Sequence, residues 1–263
     1  MNRREFLKAV PAFAALAATA TSFGLAEELI AAPATQEAAK EPAPAPAAVA
    51  ATTSAPAAIS LAPIALVKPG IDGGKSVLAS LWDRKTIRNI SDKPLPPQML
   101  SDLLWAAFGV NRPQGPGGAT GRTAASASNS QEIDLYVALP DGVYLYDALP
   151  HRLVPVFQGD LRAKVGRGRR GGGMAPVRLI YVVDIAKFAK AGFQEPGLKD
   201  PDVQKSYYFV DTGLIAGNVY LFAASQGLAA WFHNCDKAGL AKALNLRPDQ
   251  RVLFAQTVGY PAD

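Results

Sequence analysis

From residue 97 onward the apolar positions fall into regular periods. Leu100, Leu103, Leu104, Ala107 and Phe108 recur at three- and four-residue steps, with prolines in front and Gly109 behind, which predicts an amphipathic helix over 97–108. Ile133, Leu135, Val137 and Leu139 then alternate with Asp134, Tyr136 and Ala138; Pro140-Asp141-Gly142 makes a turn and Val143 to Tyr146 starts a second strand, so an antiparallel hairpin is expected. The run Val177 to Val183 carries Arg178 as its only charge and predicts a central strand buried on both faces. Between Asp211 and Gln226, Leu214, Ile215, Asn218, Leu221, Phe222 and Ser225 share one helical face while small residues fill much of the rest. A long helix with so little charge is buried, either in the core or across a subunit interface. Asp236 reads as the N-cap of a short helix to Leu244, and Val252 to Val258 as a last strand. Strands interspersed with helices, including one hairpin, make a mixed α+β domain over 71–263.

The first 70 residues do not share these periods. Arg3 and Arg4 precede Phe6, Leu7 and Lys8, and an uncharged Ala-rich run follows to Ala26. That is the layout of a twin-arginine export signal over 1–26, implying the export machinery as a partner and a periplasmic or otherwise exported location. Gly24-Leu25-Ala26 suits cleavage after Ala26; left uncleaved, the segment would be a membrane anchor. Residues 27–70 are rich in Ala, Pro, Thr and Ser, and bury too little apolar area to offset ordering entropy. They are expected to be a disordered linker.

Composition narrows the chemistry. The single cysteine, Cys235, excludes an internal disulfide, and with two histidines, His151 and His233, a transition-metal site is poorly supplied. A net charge of +5 could suit nucleic acid, but the chain has no aromatic-interleaved basic stripe and no nucleic-acid motif. The cations bunch instead over Arg84 to Arg88 and Arg162 to Arg170, a pattern that fits small anionic ligands better.

Two segments carry candidate chemistry. Arg84-Lys85-Thr86-Ile87-Arg88 offers three cations and a hydroxyl in five residues, suited to a phosphate monoester, although a solvated basic turn reads equally well. Arg122 to Gln131 is a small-residue loop ending in hydroxyls and amides, able to approach a flat ligand or simply to lie on the surface. Arg162, Lys164, Arg167, Arg169 and Arg170, followed by Gly171 to Gly173, lack the strand-loop-helix setting of a phosphate loop and read as a surface lid.

Taken together, about forty residues apart, the two segments resemble the FMN-dependent nitroreductases. Asp211-Thr212-Gly213 through Asn218-Val219-Tyr220-Leu221, Gln226-Gly227-Leu228 and Thr257-Val258-Gly259-Tyr260-Pro261 extend the resemblance from Leu81 onward. Leu103 to Arg112 and Gln131 to Val137 look like the subgroup that contains the azoline- and thiazoline-oxidising enzymes of peptide heterocycle biosynthesis. The resemblance implies a central mixed, mostly antiparallel sheet flanked by helices, in a homodimer whose flavins touch both chains. It further implies two-electron hydride transfer through N5 of FMN to or from a small organic substrate.

By position, Arg84, Lys85, Thr86 and Arg88 would hold phosphate and ribityl, Ser126, Asn129 and Gln131 would meet ribityl and ring, and Trp231, Phe232, His233 and Asn234 would pass beside the ring. NAD(P)H is the family's usual reductant, and an exported chain would not meet that pool. Lys85, Thr86 and Ala125 stand where the family more often has Arg, Ser and Pro, and no basic residue follows Pro261 to complete the phosphate site. The resemblance fixes no catalytic acid: His233 fits either a structural role or proton donation. A non-catalytic flavin or small-molecule binding module of the same fold is the alternative.

Overall fold

The computed structural model describes residues 59–115, 118–166 and 174–262. The expected export signal, most of the expected linker and residues 167–173 of the second basic cluster lie outside them. In chain order the main elements are β1 (Ile64–Ala65), α1 (Val77–Asp83), α2 (Pro97–Phe108), β2 (Val110–Arg112), β3 (Gly121–Arg122), β4 (Ile133–Ala138), β5 (Gly142–Asp147), β6 (Arg152–Gln158), α3 (Arg162–Val165), β7 (Val177–Asp184), α4 (Pro201–Ser225), β8 (Ala229–His233), α5 (Lys237–Ala243) and β9 (Gln250–Gly259).

Seven strands make one sheet in the order β1-β6-β5-β4-β7-β9-β8. All of its described pairings are antiparallel. The expected hairpin is β4 and β5, with Ala138 opposite Val143. Strand β7 lies between β4 and β9, and its eight residues are all buried. Alternation along β7 separates two apolar layers. Val177, Leu179, Tyr181 and Val183 join the core with α2 and α4, whereas Ile180 and Val182 pack with Val165, Leu240 and Leu244 on the other face. Helices cover both sides, the α+β architecture expected.

Helix α2 has the predicted bounds, with Leu103, Leu104, Ala107 and Phe108 buried. Helix α5 is capped by Asp236, whose Oδ1 accepts from the Gly239 amide at 3.0 Å.

Three features differ from the expectation. Helix α4 begins ten residues before Asp211, at Pro201, with the Asp200 side chain accepting from the Asp202 amide. Its core face runs through Tyr208, Ile215, Ala216, Val219 and Ala223, while Leu214 is 45% exposed. Ile215 and Val219 take the core side with Ala216 and Ala223, which leaves Leu214 facing outward.

The end of the expected linker also belongs to the domain. Ile64 pairs with Leu153, the Leu66 amide donates to His151 O, and Leu61 and Leu66 pack on the core. An edge strand supplied the backbone partners that composition alone could not reveal. Strands β6 and β8 were likewise not foreseen.

Candidate functional site

The basic segment leaves the C-terminal end of α1 and runs beside β8. The Ile87 amide donates to Ala230 O at 3.1 Å, and farther along Ile90 bridges to Pro261. This lays Arg88 over the Trp231 ring at 5.8 Å and Arg84 over the Tyr220 ring at 5.6 Å. The Tyr220 hydroxyl joins α4 to both neighbours: it accepts from the Phe232 amide at 2.9 Å and lies 3.1 Å from Thr86 Oγ1. Lys85 is exposed. None of the ion pairs among the described residues uses Arg84, Lys85 or Arg88. The aromatic contacts of Arg84 and Arg88 leave their positive charge without a carboxylate partner.

Trp231, Phe232 and His233 are strand residues, opposite Thr257, Gln256 and Ala255 of β9, rather than part of a loop. The His233 ring has both nitrogens engaged: Nδ1 donates to Asn234 O at 2.7 Å, which leaves Nε2 to accept from Thr257 Oγ1 at 2.8 Å. Burial, then the Arg178 charge, lowers its proton affinity, so the ring is held neutral as a structural bridge. Beside it opens a cleft of about 490 Å³ lined by Lys164, Gly166, Trp231, His233, Asn234 and Cys235. Lys164 therefore joins this half of the site, and Arg162 pairs with Asp160 at 2.7 Å; neither role was legible in the basic cluster.

The Ser/Asn/Gln loop forms a second cluster. The Gln131 amide donates to Ser126 Oγ at 3.0 Å, and Gln131 Nε2 donates to Asn129 Oδ1 at 2.9 Å and to Thr120 O at 2.8 Å. Arg122 Nε donates to Gln131 Oε1 at 2.6 Å, with its guanidinium stacked 4.8 Å from the Phe108 ring. Ser128, Asn129 and Gln131 all hold φ near +50°, a left-handed conformation uncommon outside glycine that persists only when the surroundings enforce it. Above the loop lies a cleft of about 380 Å³ lined by Arg112, Arg122, Ser126, Asn129 and Phe193 among others.

Two buried carboxyl groups underlie this loop. Asp211 Oδ2 accepts from the Ala127 amide at 2.8 Å and Glu132 Oε2 accepts from Ser130 Oγ at 2.6 Å. Burial pushes Glu132 up to about 7 and raises Asp211 as well. Glu132, in a polar stretch close to Asp134, carries no sign of burial in the sequence, whereas Asp211 is the single acid between Lys205 and Gln226, a costly placement without a partner.

The structure thus gathers Arg84, Thr86 and Arg88 with Trp231 and Phe232, and gathers Ser126, Asn129 and Gln131 with Arg122, but does not merge the two groups. None of Arg84, Lys85, Thr86 and Arg88 lines the cleft above the loop. The loop contacts α4 at Asp211 and the basic segment contacts it at Tyr220. Nine residues of helix put these about 13 Å apart and on opposite sides. Within one chain the two expected groups therefore stand as two half-sites. As donor sets they fit FMN: cations outside any ion pair for a phosphate, and side-chain amides and hydroxyls for a flat polar ring.

Comparison with known proteins identifies the family to which this fold belongs. Residues 81–260 match the model of the nitroreductase family. A crystal structure from Ralstonia eutropha, described as a nitroreductase, is 36% identical, covers 76% of this chain and 90% of its own, and superposes with a TM-score of 0.67. A Methanocaldococcus jannaschii protein named as a nitroreductase is 27% identical over 157 residues, which is 56% of this chain and 73% of the relative. An Escherichia coli microcin synthetase complex, 21% identical with a TM-score of 0.56 over 75% of this chain and 78% of its own, shares the fold.

Proposed function

The chain belongs to the nitroreductase family of flavin-dependent oxidoreductases, and on that premise we propose that it carries FMN between two copies of itself and moves two electrons, as hydride through flavin N5, to or from a small organic substrate. The observation that carries this reading is the division of each chain into a cationic half-site at Arg84 to Arg88 with Trp231 to Asn234, and a polar half-site at Ser126 to Gln131. A twofold dimer joins complementary halves that one chain keeps apart. Its apolar contact is available: Trp82 is 91% exposed, Leu78 78%, and Val210 and Leu214 on α4 also face outward. So much exposed apolar surface marks an association site.

In this arrangement Arg84, Lys85 and Arg88 attract the phosphate, and Thr86, fixed by Tyr220, offers it a hydroxyl. Ser126, Asn129 and Gln131 of the other subunit fix the ribityl chain and ring edge, with Arg122 holding Gln131 in place. Lys164, which lines the cleft beside Trp231, adds a further cation to this half. Bound FMN would provide the redox chemistry, and the protein its position and electrostatics.

The runs Leu103 to Arg112 and Gln131 to Val137 support a place beside the azoline-oxidising subgroup. Residues 1–26 are taken as the twin-arginine signal, so outside the cytoplasm either a donor other than NAD(P)H serves or the substrate is oxidised and an external acceptor takes the electrons. An absorption spectrum of the protein purified from the exported fraction tests flavin and location together. A flavin spectrum is expected there, and Arg84→Ala with Arg88→Ala should cut bound flavin at least tenfold; full occupancy in that variant would reject the phosphate assignment.

A further inference from the structure

Beneath the Ser126–Gln131 loop, Glu132 and Asp211 have no part in the flavin contacts proposed above. Glu132 is 0% exposed and Asp211 4%. Each holds the loop from below, Asp211 through the Ala127 amide and Glu132 through the Ser130 hydroxyl. The second Glu132 oxygen, Oε1, is buried and meets no donor. Glu132 holds at Ser130 the same turn that Asp211 holds at Ala127, and the Ser130 amide donates to Ala127 O at 2.9 Å, so both buried carboxyls sit under one turn. Two carboxylates are both acceptors, so nothing joins them unless one keeps a proton.

Charged and titratable groups around the pair are engaged elsewhere. Lys187 is paired with Asp134 at 2.5 Å and donates to Gln131 O, while Asp184 at the end of β7 pairs with Arg247. Arg122 donates to Gln131 Oε1 and Phe108 O, and Glu195 accepts from the hydroxyls of Ser128 and Tyr207. Lys190 lines the outer cleft at Ser130 and Gln131, and among the described residues no ion pair uses Glu132 or Asp211.

We propose that Glu132 and Asp211 share one proton and act as the positioning element of the cofactor loop, so that the half-site takes its binding geometry only while the pair is singly protonated. The ligand in this inference rests on the FMN reading; the shared proton does not. With the proton present, Glu132 donates to Asp211 while Asp211 still accepts from Ala127 and Glu132 from Ser130. When it leaves, two buried negative charges repel and pull on both ends of a strained turn. Burial places that loss near neutrality, with Glu132 pushed up to about 7. The protonated, ordered loop is therefore the state below that pH, and order is lost as pH rises through it.

FMN binding to the full chain, titrated from acid through neutral to alkaline pH, tests this with Glu132→Gln beside the wild type. The wild type is expected to lose affinity tenfold or more across neutrality. Glu132→Gln keeps a donor toward Asp211 without the titration, so it should hold the acid-side affinity with a flat profile. Matching pH profiles in the two proteins would overturn the proposal. Failure of both proteins to bind FMN at every pH would count against the flavin reading instead. The pair is then read directly from the carboxyl carbon resonance of Glu132: a midpoint near 7 supports the shared proton, and one near the ordinary 4.5 overturns it.

Discussion

The Tyr220 hydroxyl shows how one side chain links sequence-distant parts of the site. It binds the Phe232 amide and Thr86 Oγ1, so α4, β8 and the basic segment meet at one oxygen. Tyr220→Phe leaves the ring under Arg84 but strands the Phe232 amide, and is expected to cost about 1 kcal/mol of stability. Thr86 is freed by the same change, so FMN affinity should fall by about fivefold, roughly another 1 kcal/mol. Urea unfolding and a flavin titration on one preparation check both; unchanged affinity would detach Thr86 from the site. At this scale the sequence was readable where residues act as donors in a run, as with Arg84 to Arg88 and Ser126 to Gln131. It was silent on Tyr220, Arg122, Lys164 and the Glu132–Asp211 pair, because their roles depend on neighbours brought in by the fold.

Among the elements, α4 divides the site. Asp211 meets the loop on one side of it and Tyr220 the basic segment on the other, while Ile215 and Val219 anchor its core face. The helix was legible from its small-residue run, yet its first three turns were missed although Asp200-Pro201 is a start signal, a cap followed by proline at the first helical position. Strand β6 was hidden by Pro155, which pairs with Tyr144 where the register slips, a position that tolerates the missing amide. Strand β8 is a short edge strand and offered too little pattern to read. The outward face of α4 carries a prediction of its own. Leu214→Arg removes no core contact, so the domain should stay folded with little change in melting temperature, while light scattering reports a monomer that no longer retains flavin. A variant that remains dimeric would move the subunit contact away from α4.

For the whole molecule, the α+β architecture was legible because period-2 and helical runs alternate along the chain, and β7 announced itself as an interior strand, although the middle of the seven is its neighbour β4. The assembly was legible only through the family resemblance, which implied a homodimer whose flavins touch both chains; periodicity carried no sign of it. The placement of α4 between the two segments supports that proposal. The most direct measurement is subunit complementation. One protein carries Arg84→Ala and Arg88→Ala, the other Ser126→Ala and Asn129→Ala; each alone should retain little flavin. After unfolding and refolding as an equal mixture, each mixed dimer regains one intact pair of halves, so flavin should return to about a quarter of the wild-type sites. No recovery beyond the separately refolded variants, with mixed dimers demonstrably formed, would contradict a site shared between subunits.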